Sequence, residues 1–543
     1  TCTIDHLMPA TEGTRGGYQI APMLRLMSSD LVLDEPDDFG LEDLPALARL
    51  VNWAGMLGSR VLLSSATLPP ALIQGLFDAY LAGRRQYQLN RGTPGQQLAV
   101  CCAWFDEFTP LAGEHADADS FLQQHQSFVE KRLGKLESKQ AEDSRRKALI
   151  KPLDIAQGLP ESELFQAFAG HVSEQVAELH QVHAENDPVS GKKLSIGLVR
   201  MANIRPMVGV AKALFASAPP ADTRIHLCVY HSQHPLLVRS AIEGQLDRLL
   251  TRHRREEWLA SEPVRQLLDT YPEANQIVVV LATPVAEVGR DHDYDWGIVE
   301  PSSMRSIIQL AGRIRRHRQG SVQSPNLYLL DANLKHLRSG MAAPAYLRPG
   351  FESPEFRLRS HSLSELLTAD QWQRIDASSR IQSRVKPDPS GNLVDLEHEV
   401  TRQWVQGAGQ GEALKVLPAS LWWQCRAPLC SALQREQPFR YDPLGRQRYV
   451  LMPDEADTHL HRVEKDGQLV GVNNLKNDIS LELAQGISPW GVTDYLEELE
   501  SLAEQLNMTL EDTARRYGFL DLPEKGCDNG WEYHPVLGFN RIG

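Results

Sequence analysis

The chain has 543 residues, 42% of them hydrophobic and 23% charged, an ordinary globular mixture that excludes collagen-like, mucin-like and wholly disordered chains. Lys and Arg total 56 against 70 Asp and Glu, and the net charge of -14 excludes a globally basic nucleic-acid coat. A local basic channel stays open, because a phosphate responds to charges within about 10 Å at physiological salt.

Length alone suggests roughly three to four domains. No apolar run approaches the ~20 residues that cross a bilayer, so no membrane is expected. The seven cysteines form no CxxC pair, which argues against a disulfide framework or a structural zinc site and suits a reducing cytoplasm. The opening Thr1-Cys2-Thr3-Ile4-Asp5-His6 has no initiator Met, basic stretch or apolar stretch. It is not a signal peptide and reads as the interior of a longer polypeptide.

In chain order, an apolar strand Leu31-Val32-Leu33 runs into the acidic turn Asp34-Glu35-Pro36-Asp37-Asp38. A helical segment at Leu41 to Leu57 and a second strand, Val61-Leu62-Leu63, lead into Ser64-Ser65-Ala66-Thr67. Short apolar strands alternating with helices predict a parallel sheet covered on both faces. Residues 1–85 are read as part of one such lobe. Residues 86–190 are rich in polar helix formers and predict a helical connector.

The alternation resumes over residues 191–335, with strands at Leu194–Val199, Ile225–Tyr230, Ile277–Ala282, Gly297–Val299 and Leu327–Leu330. Helices are expected at Pro206–Phe215, Leu236–Arg255 and Met304–Arg316. That pattern predicts a second, complete α/β lobe. Residues 336–413, irregular and Pro-rich, read as a linker. Residues 414–543 read as a mixed α/β accessory domain with core candidates Leu421, Trp422, Trp423, Tyr449, Val450 and Leu451 and a helix near Tyr495–Leu506.

Carboxylates at the carboxyl end of a parallel strand sit where α/β sheets bind ligands. Asp34 is placed to hold Mg²⁺ and Glu35 to deprotonate an attacking water, although the same residues also suit a solvated loop. Ser65 and Thr67, small hydroxyls after the next strand, are ordinary turn residues by themselves. Their position behind the acidic turn lets them sense its occupancy.

The run Gln309-Leu310-Ala311-Gly312-Arg313-Ile314-Arg315-Arg316 is the most specific. On a continuous helix Gln309, Arg313 and Arg316 share one face, with Gly312 allowing close backbone approach. Two guanidiniums together suit a triphosphate whose γ-bond is breaking; the bland alternative is a basic surface helix. Thr283, ending its strand, could bond a nucleic-acid phosphate, and Asp291 a ribose hydroxyl. His231-Ser232-Gln233-His234 suggests a phosphate-backbone contact rather than a metal site.

In order, these blocks resemble motifs II to VI of superfamily 2 helicases. Thr3-Ile4-Asp5-His6, His231-Ser232 with Arg239 and Glu243, and Thr283…Glu287…Asp291…Asp295 resemble the CRISPR-associated helicase-nuclease of type I systems, nearest the I-F branch. The resemblance implies two RecA-like lobes clamping ATP and Mg²⁺, an accessory domain over a single-stranded DNA channel, and ATP-driven translocation that unwinds and feeds invading DNA to a nuclease. It assigns Asp34 and Glu35 to magnesium and water, and Ser65 and Thr67 to coupling. It assigns His231, Ser232 and Thr283 to nucleic acid, and Gly289, Asp291, Gln309, Arg313 and Arg316 to the nucleotide. Implied partners are single-stranded DNA, a crRNA-guided surveillance complex, CRISPR adaptation proteins and a phage inhibitor.

Two departures stand out. The phosphate-cradling GxxxxGK[ST] loop is absent, since Gly191-Lys192-Lys193-Leu194 lacks the earlier Gly and the following hydroxyl. The His-Asp dipeptide His292-Asp293 falls inside motif V, so the family's metal nuclease is expected outside this sequence. The segment by itself is therefore expected to be inactive. The competing readings are a non-catalytic docking module for nucleic acid or an effector complex, and the motor of an RNA helicase or restriction translocase.

Overall fold

A computed structural model describes residues 3–12, 17–287, 290–373, 375–409, 412–413, 415–424, 436–440, 442, 445–454, 457–524 and 529–542. The chain divides into two compact units. The first comprises Thr1–Glu142, Ser353–Arg359 and Ala377–Tyr441; the second comprises Asp143–Glu352, Ser360–Asp376 and Asp442–Gly543.

In the first unit the strands Leu31–Asp34 and Val61–Ser64 pair in parallel, with Asp34 opposite Ser64. The helix Leu44–Leu57 connects them, with Pro45 in its first turn and Gly58 closing it at φ 89. Leu47 and Leu50 on this helix are fully buried. The helix Pro70–Arg91 packs against it at glycines: a Cβ on Gly83 would stand 2.1 Å from the Asn52 carbonyl oxygen. Only residues without a side chain allow the two backbones to approach so closely. Val405 and Ala419 complete this core.

The second unit is built on an eight-stranded sheet. Its order is Ile487–Pro489, Thr223–Tyr230, Asn275–Ala282, Lys193–Arg200, Trp296–Val299, Leu327–Leu330, Ala148–Lys151, all parallel, with Glu185–Asn186 antiparallel beside Lys193–Arg200. Val278, Val280 and Leu281 are fully buried, and Val279 nearly so. Successive strand side chains point to opposite faces, so this continuous burial means that both faces are covered. The helices Glu161–His183 and Ile204–Phe215 supply one apolar layer through Phe168, Val172, Val208 and Phe215. The fold class is α/β, as expected, and antiparallel sheets are added to it.

Two boundaries differ from the sequence reading. The supposed connector 86–190 contains an antiparallel hairpin, Val100–Phe105 with Pro110–His115, and then the Ala148–Lys151 strand of the main sheet. That strand is four residues long and only partly buried, and its short Ala148-Leu149-Ile150 run follows a charged stretch that reads as helix. The stretch 336–413 is no open linker: its helix Leu393–Val405 is largely buried and belongs to the first unit. Buried Asp395, Glu397 and Thr401 interrupt its apolar pattern, which conceals it from a periodicity argument.

The accessory residues 442–543 form a four-stranded antiparallel sheet, a three-stranded sheet and the helices Tyr495–Leu506 and Leu510–Tyr517. They also lend Ile487–Pro489 to the edge of the parallel sheet, so they are continuous with the second lobe. Tyr449, Val450 and Leu451 are buried there, while Trp422 and Trp423 are half-buried in the first unit.

Candidate nucleotide and nucleic-acid sites

Leu31 and Leu33 anchor the first strand in the core and deliver Asp34, exposed, to its carboxyl end. Glu35 follows in the left-handed region at φ 45, its N–H donating to the Ser64 carbonyl at 2.7 Å. A non-glycine residue held there costs on the order of 1 kcal/mol, strain of a kind that collects at functional turns. Partial burial raises the Glu35 carboxyl above its ordinary range; the Ser65 hydrogen bond opposes this, and Asp37, Asp38 and Asp34 push it further up.

Asp37, given no role from the sequence, organises the turn. It is 4% exposed and accepts hydrogen bonds from Ser65 Oγ and Thr67 Oγ1, both at 2.7 Å. Ser65 Oγ also accepts from the Thr67 N–H at 3.1 Å. The hydroxyls assigned to coupling are therefore tied to the acidic turn through one buried carboxylate. The signal was the third acid of the Asp34-Glu35-Pro36-Asp37 run, hidden because a turn rich in acids reads as solvated.

In the second unit the expected helix stops early. It spans Met304–Ala311, capped at its start by Ser303, and Gly312 ends it. Ile314 then forms a parallel bridge with Tyr294, and Arg315 takes φ 47. Arg313 and Arg316 are thus not on one helical face with Gln309, which remains within the helix. Burying Ile314 fully and pairing it with Tyr294 outweighs continuing a helix through glycine. The atoms nearest a Cβ on Gly312 would be those of its own preceding turn, the Gln309 carbonyl oxygen at 3.1 Å first.

The two arginines also differ in what they touch. Arg313 donates to the carbonyls of Glu287, at 2.7 Å, and Arg290. Arg316 is 43% exposed, and its Nε reaches Asp291 Oδ1 at 2.5 Å. His317 lies 3.1 Å from the same oxygen. These hydrogen bonds hold the Asp291 carboxyl below the usual range. Asp291 and Arg316 are therefore brought together, while Gly289 lies outside the described residues.

Sequence reasoning missed the frame beneath them. Arg200, 0% exposed, donates to Glu287 Oε1 at 2.6 Å, the Glu300 carbonyl at 2.9 Å and Ser306 Oγ at 2.8 Å. It locks the Thr283–Glu287 turn to a central strand and to the Met304–Ala311 helix. Arg146 donates to the Ile314 carbonyl at 3.0 Å and the Gly312 carbonyl at 3.4 Å, fixing the arginine segment from below. Arg252 and Arg318 share Asp295, at 2.8 and 2.5 Å, and Arg318 also binds Asp293. Asp295→Ala leaves two clustered, largely buried cations short of a partner and is expected to cost about 3–5 kcal/mol, read from the urea midpoint of unfolding.

Two of the residues expected to meet nucleic acid are buried. His231 is fully buried: Nε2 donates to the Leu537 carbonyl at 2.8 Å and Nδ1 accepts from the Gln233 N–H at 3.1 Å. Both ring nitrogens are used inside the protein, so the ring fastens the C-terminal strands to the lobe. Thr283 is 4% exposed beneath the Pro284–Ala286 turn. Ser232 is exposed and opens on a cavity of about 170 Å³ that Arg239 and Arg446 also line.

Burial lowers the His231 pKa to about 4. Above pH ~6.5 both states hold the ring neutral and it contributes nothing to the pH slope. As pH falls below that value the unfolded chain takes up a proton that the folded protein refuses, so stability drops until about pH 4. Urea midpoints taken between pH 7.5 and 4.5 should decline, and His231→Gln should remove about 1.4 kcal/mol per pH unit of that slope.

Two other sequence expectations resolve plainly. Lys192 of the Gly191-Lys192 run donates Nζ to the Leu268 carbonyl at 2.7 Å, a structural use and no phosphate cradle. His292 is buried with Nε2 2.8 Å from Asp247 Oδ1, and buried Asp293 pairs with Arg318. Among the described residues no helix is long and apolar enough to cross a membrane.

Two family models match the chain: CRISPR-associated nuclease/helicase Cas3, C-terminal, over residues 193–319, and CRISPR-associated Cas3 subtype I-F/YPEST-like, C-terminal domain, over residues 451–541. The CRISPR-associated nuclease/helicase Cas3 subtype I-F/YPEST of Pseudomonas aeruginosa is 49% identical over 99% of this chain and 49% of its own length. That of Pectobacterium atrosepticum is 45% identical over 99% of this chain and 48% of its own. The chain thus spans about half the length of the curated relatives it matches. Among solved structures, T. fusca Cas3-ADP is 15% identical over 96% of this chain and 50% of that one, with a TM-score of 0.49. The first matched segment holds Thr283, Asp291 and the arginine run, the second holds the strands that His231 fastens, and the identity extends along nearly the whole chain: it matches a C-terminal segment of the CRISPR-associated nuclease/helicase Cas3 of subtype I-F/YPEST.

Proposed function

We propose that this chain is the motor segment of an ATP-dependent single-stranded DNA translocase and helicase acting in type I CRISPR interference. The observation that carries the reading is the Asp34–Asp37 turn, in which one carboxylate is exposed at a strand end, a second is strained beside it, and a third binds the Ser65 and Thr67 hydroxyls. A docking surface has no use for that arrangement. The exposed oxygen donors suit the hard cation Mg²⁺, and the mutual repulsion of the clustered acids favours one. Asp34 would hold the metal, which neutralises phosphate charge when bound, and Glu35 would take the proton of the attacking water.

Arg316 would face the γ-phosphate, while Arg313 holds the Glu287 and Arg290 carbonyls. Ser232, Arg239 and Arg446 would meet the phosphates of single-stranded DNA delivered by a crRNA-guided surveillance complex. The phosphate loop and the nuclease would come from residues outside this sequence. The test compares ATP turnover by this chain and by the longer protein, each with and without single-stranded DNA. We expect none from the chain alone and DNA-dependent turnover from the longer protein. DNA affinity should fall steeply with salt, because releasing counterions into a more concentrated solution gains less free energy. Turnover by the isolated chain, or DNA affinity indifferent to salt, contradicts the reading.

A further inference from the structure

Behind Asp37 lies a second buried residue that neither the motifs nor the family models reach. Arg380, on the short helix Ser378–Ile381, is 2% exposed. Its Nη1 donates to Glu397 Oε2 at 2.9 Å, and its Nη2 stands 3.8 Å from Asp37 Oδ2. Glu397 is 0% exposed on the helix Leu393–Val405. All of these residues lie in the first unit. A run of side chains thus leads from Ser65 and Thr67 through Asp37 and Arg380 to Glu397.

Two carboxylates and one guanidinium are buried together. An unpaired charge in such a place is expensive, so the facing Arg380 guanidinium holds the Asp37 carboxylate in position. Arginine suits this role because its planar fork aims separate nitrogens at two acids, whereas a lysine presents a single point charge. Ser65 and Thr67 each donate to one of the two Asp37 oxygens, so both hydroxyls shift if that carboxylate shifts.

We infer that Arg380 is a positioning residue for the hydrolysis centre: through Asp37 it fixes the acidic turn and the two coupling hydroxyls, and Glu397 holds it in place. This makes residues 377–405 a working part of the motor. The inference rests on the motor reading, and the experiment separates the two. In the longer protein, Arg380→Met and Glu397→Gln are compared with wild type. The readouts are amide exchange of Glu35 and Asp38 without nucleotide, the KM for ATP, and DNA-stimulated kcat. Those two amides bond the Ser64 and Glu35 carbonyls, so their exchange reports the turn directly.

Arg380→Met should speed that exchange and lower kcat about tenfold or more, as sub-ångström misplacement does, with KM for ATP within about twofold of wild type. Glu397→Gln leaves Arg380 and Asp37 as a neutral pair, so it keeps the fold and should shift both readouts the same way by less. If Arg380→Met is folded but matches wild type in exchange and kcat, the assignment is wrong. If Arg380→Met does not accumulate, wild-type behaviour of Glu397→Gln overturns it equally. A wild-type protein without ATP turnover overturns the motor reading, and the exchange data then judge Arg380 alone.

Discussion

Glu35→Gln in the longer protein should lower ATP turnover by about 10²–10⁴-fold while leaving nucleotide affinity close to wild type. The substitution preserves side-chain size and the contact with Ser65, and it removes only the capacity to accept a proton. The backbone argues for Glu35 rather than a neighbouring acid. Its φ of 45 turns the residue away from the strand direction that Asp34 follows. The bond from its N–H to the Ser64 carbonyl fixes that turn against the second strand. Asp34→Asn should behave differently, losing Mg²⁺-dependent nucleotide affinity as well as turnover, because it removes a charge that offsets the metal. The measurements are steady-state phosphate release and binding of a fluorescent ATP analogue. Full turnover by Glu35→Gln would show that the water is activated by another group.

Strands were legible wherever both faces are buried, because a run such as Ile277-Val278-Val279-Val280-Leu281 has few other uses. The acidic turn and Ser65-Ala66-Thr67 were legible as types, and their order along the chain supplied the meaning. What stayed hidden depends on pairings far apart in sequence. Asp37 meets Arg380, and Arg200 meets Glu287 and Ser306, through ion pairs that leave no periodic trace. Polar residues buried for such pairings also broke the apolar rhythm of Leu393–Val405, so a core helix looked like linker. His231 shows the same effect in reverse. A histidine after a strand suggested a ligand contact, yet it satisfies the carbonyl of Leu537, about 300 residues downstream, a distance no local pattern records.

Helix periodicity misled most where it seemed strongest, and the consequence is a prediction. The sequence gives Arg313 and Arg316 equal standing on one face; the structure separates their work. Arg313 spends its guanidinium on the Glu287 and Arg290 carbonyls, part of the frame that Arg200 anchors. Arg316 is the more exposed and is held by Asp291 through one short charge-assisted bond. A phosphate with more charge than a carboxylate can take that guanidinium over without disturbing the fold. Arg316→Ala should therefore reduce turnover by about 10³-fold, the scale of removing an arginine that meets transition-state charge, with the urea midpoint unchanged. Arg313→Ala should lower both, since two backbone carbonyls lose their donor and the Thr283–Arg290 segment loosens. Asp291→Asn should leave Arg316 freer and tighten nucleotide binding unless Asp291 itself grips the nucleotide. Parallel measurement of turnover, nucleotide affinity and unfolding midpoint distinguishes the three variants. Arg316→Ala retaining more than about a tenth of wild-type turnover would remove it from the reaction and leave the exposed pair with Asp291 as surface electrostatics, worth little.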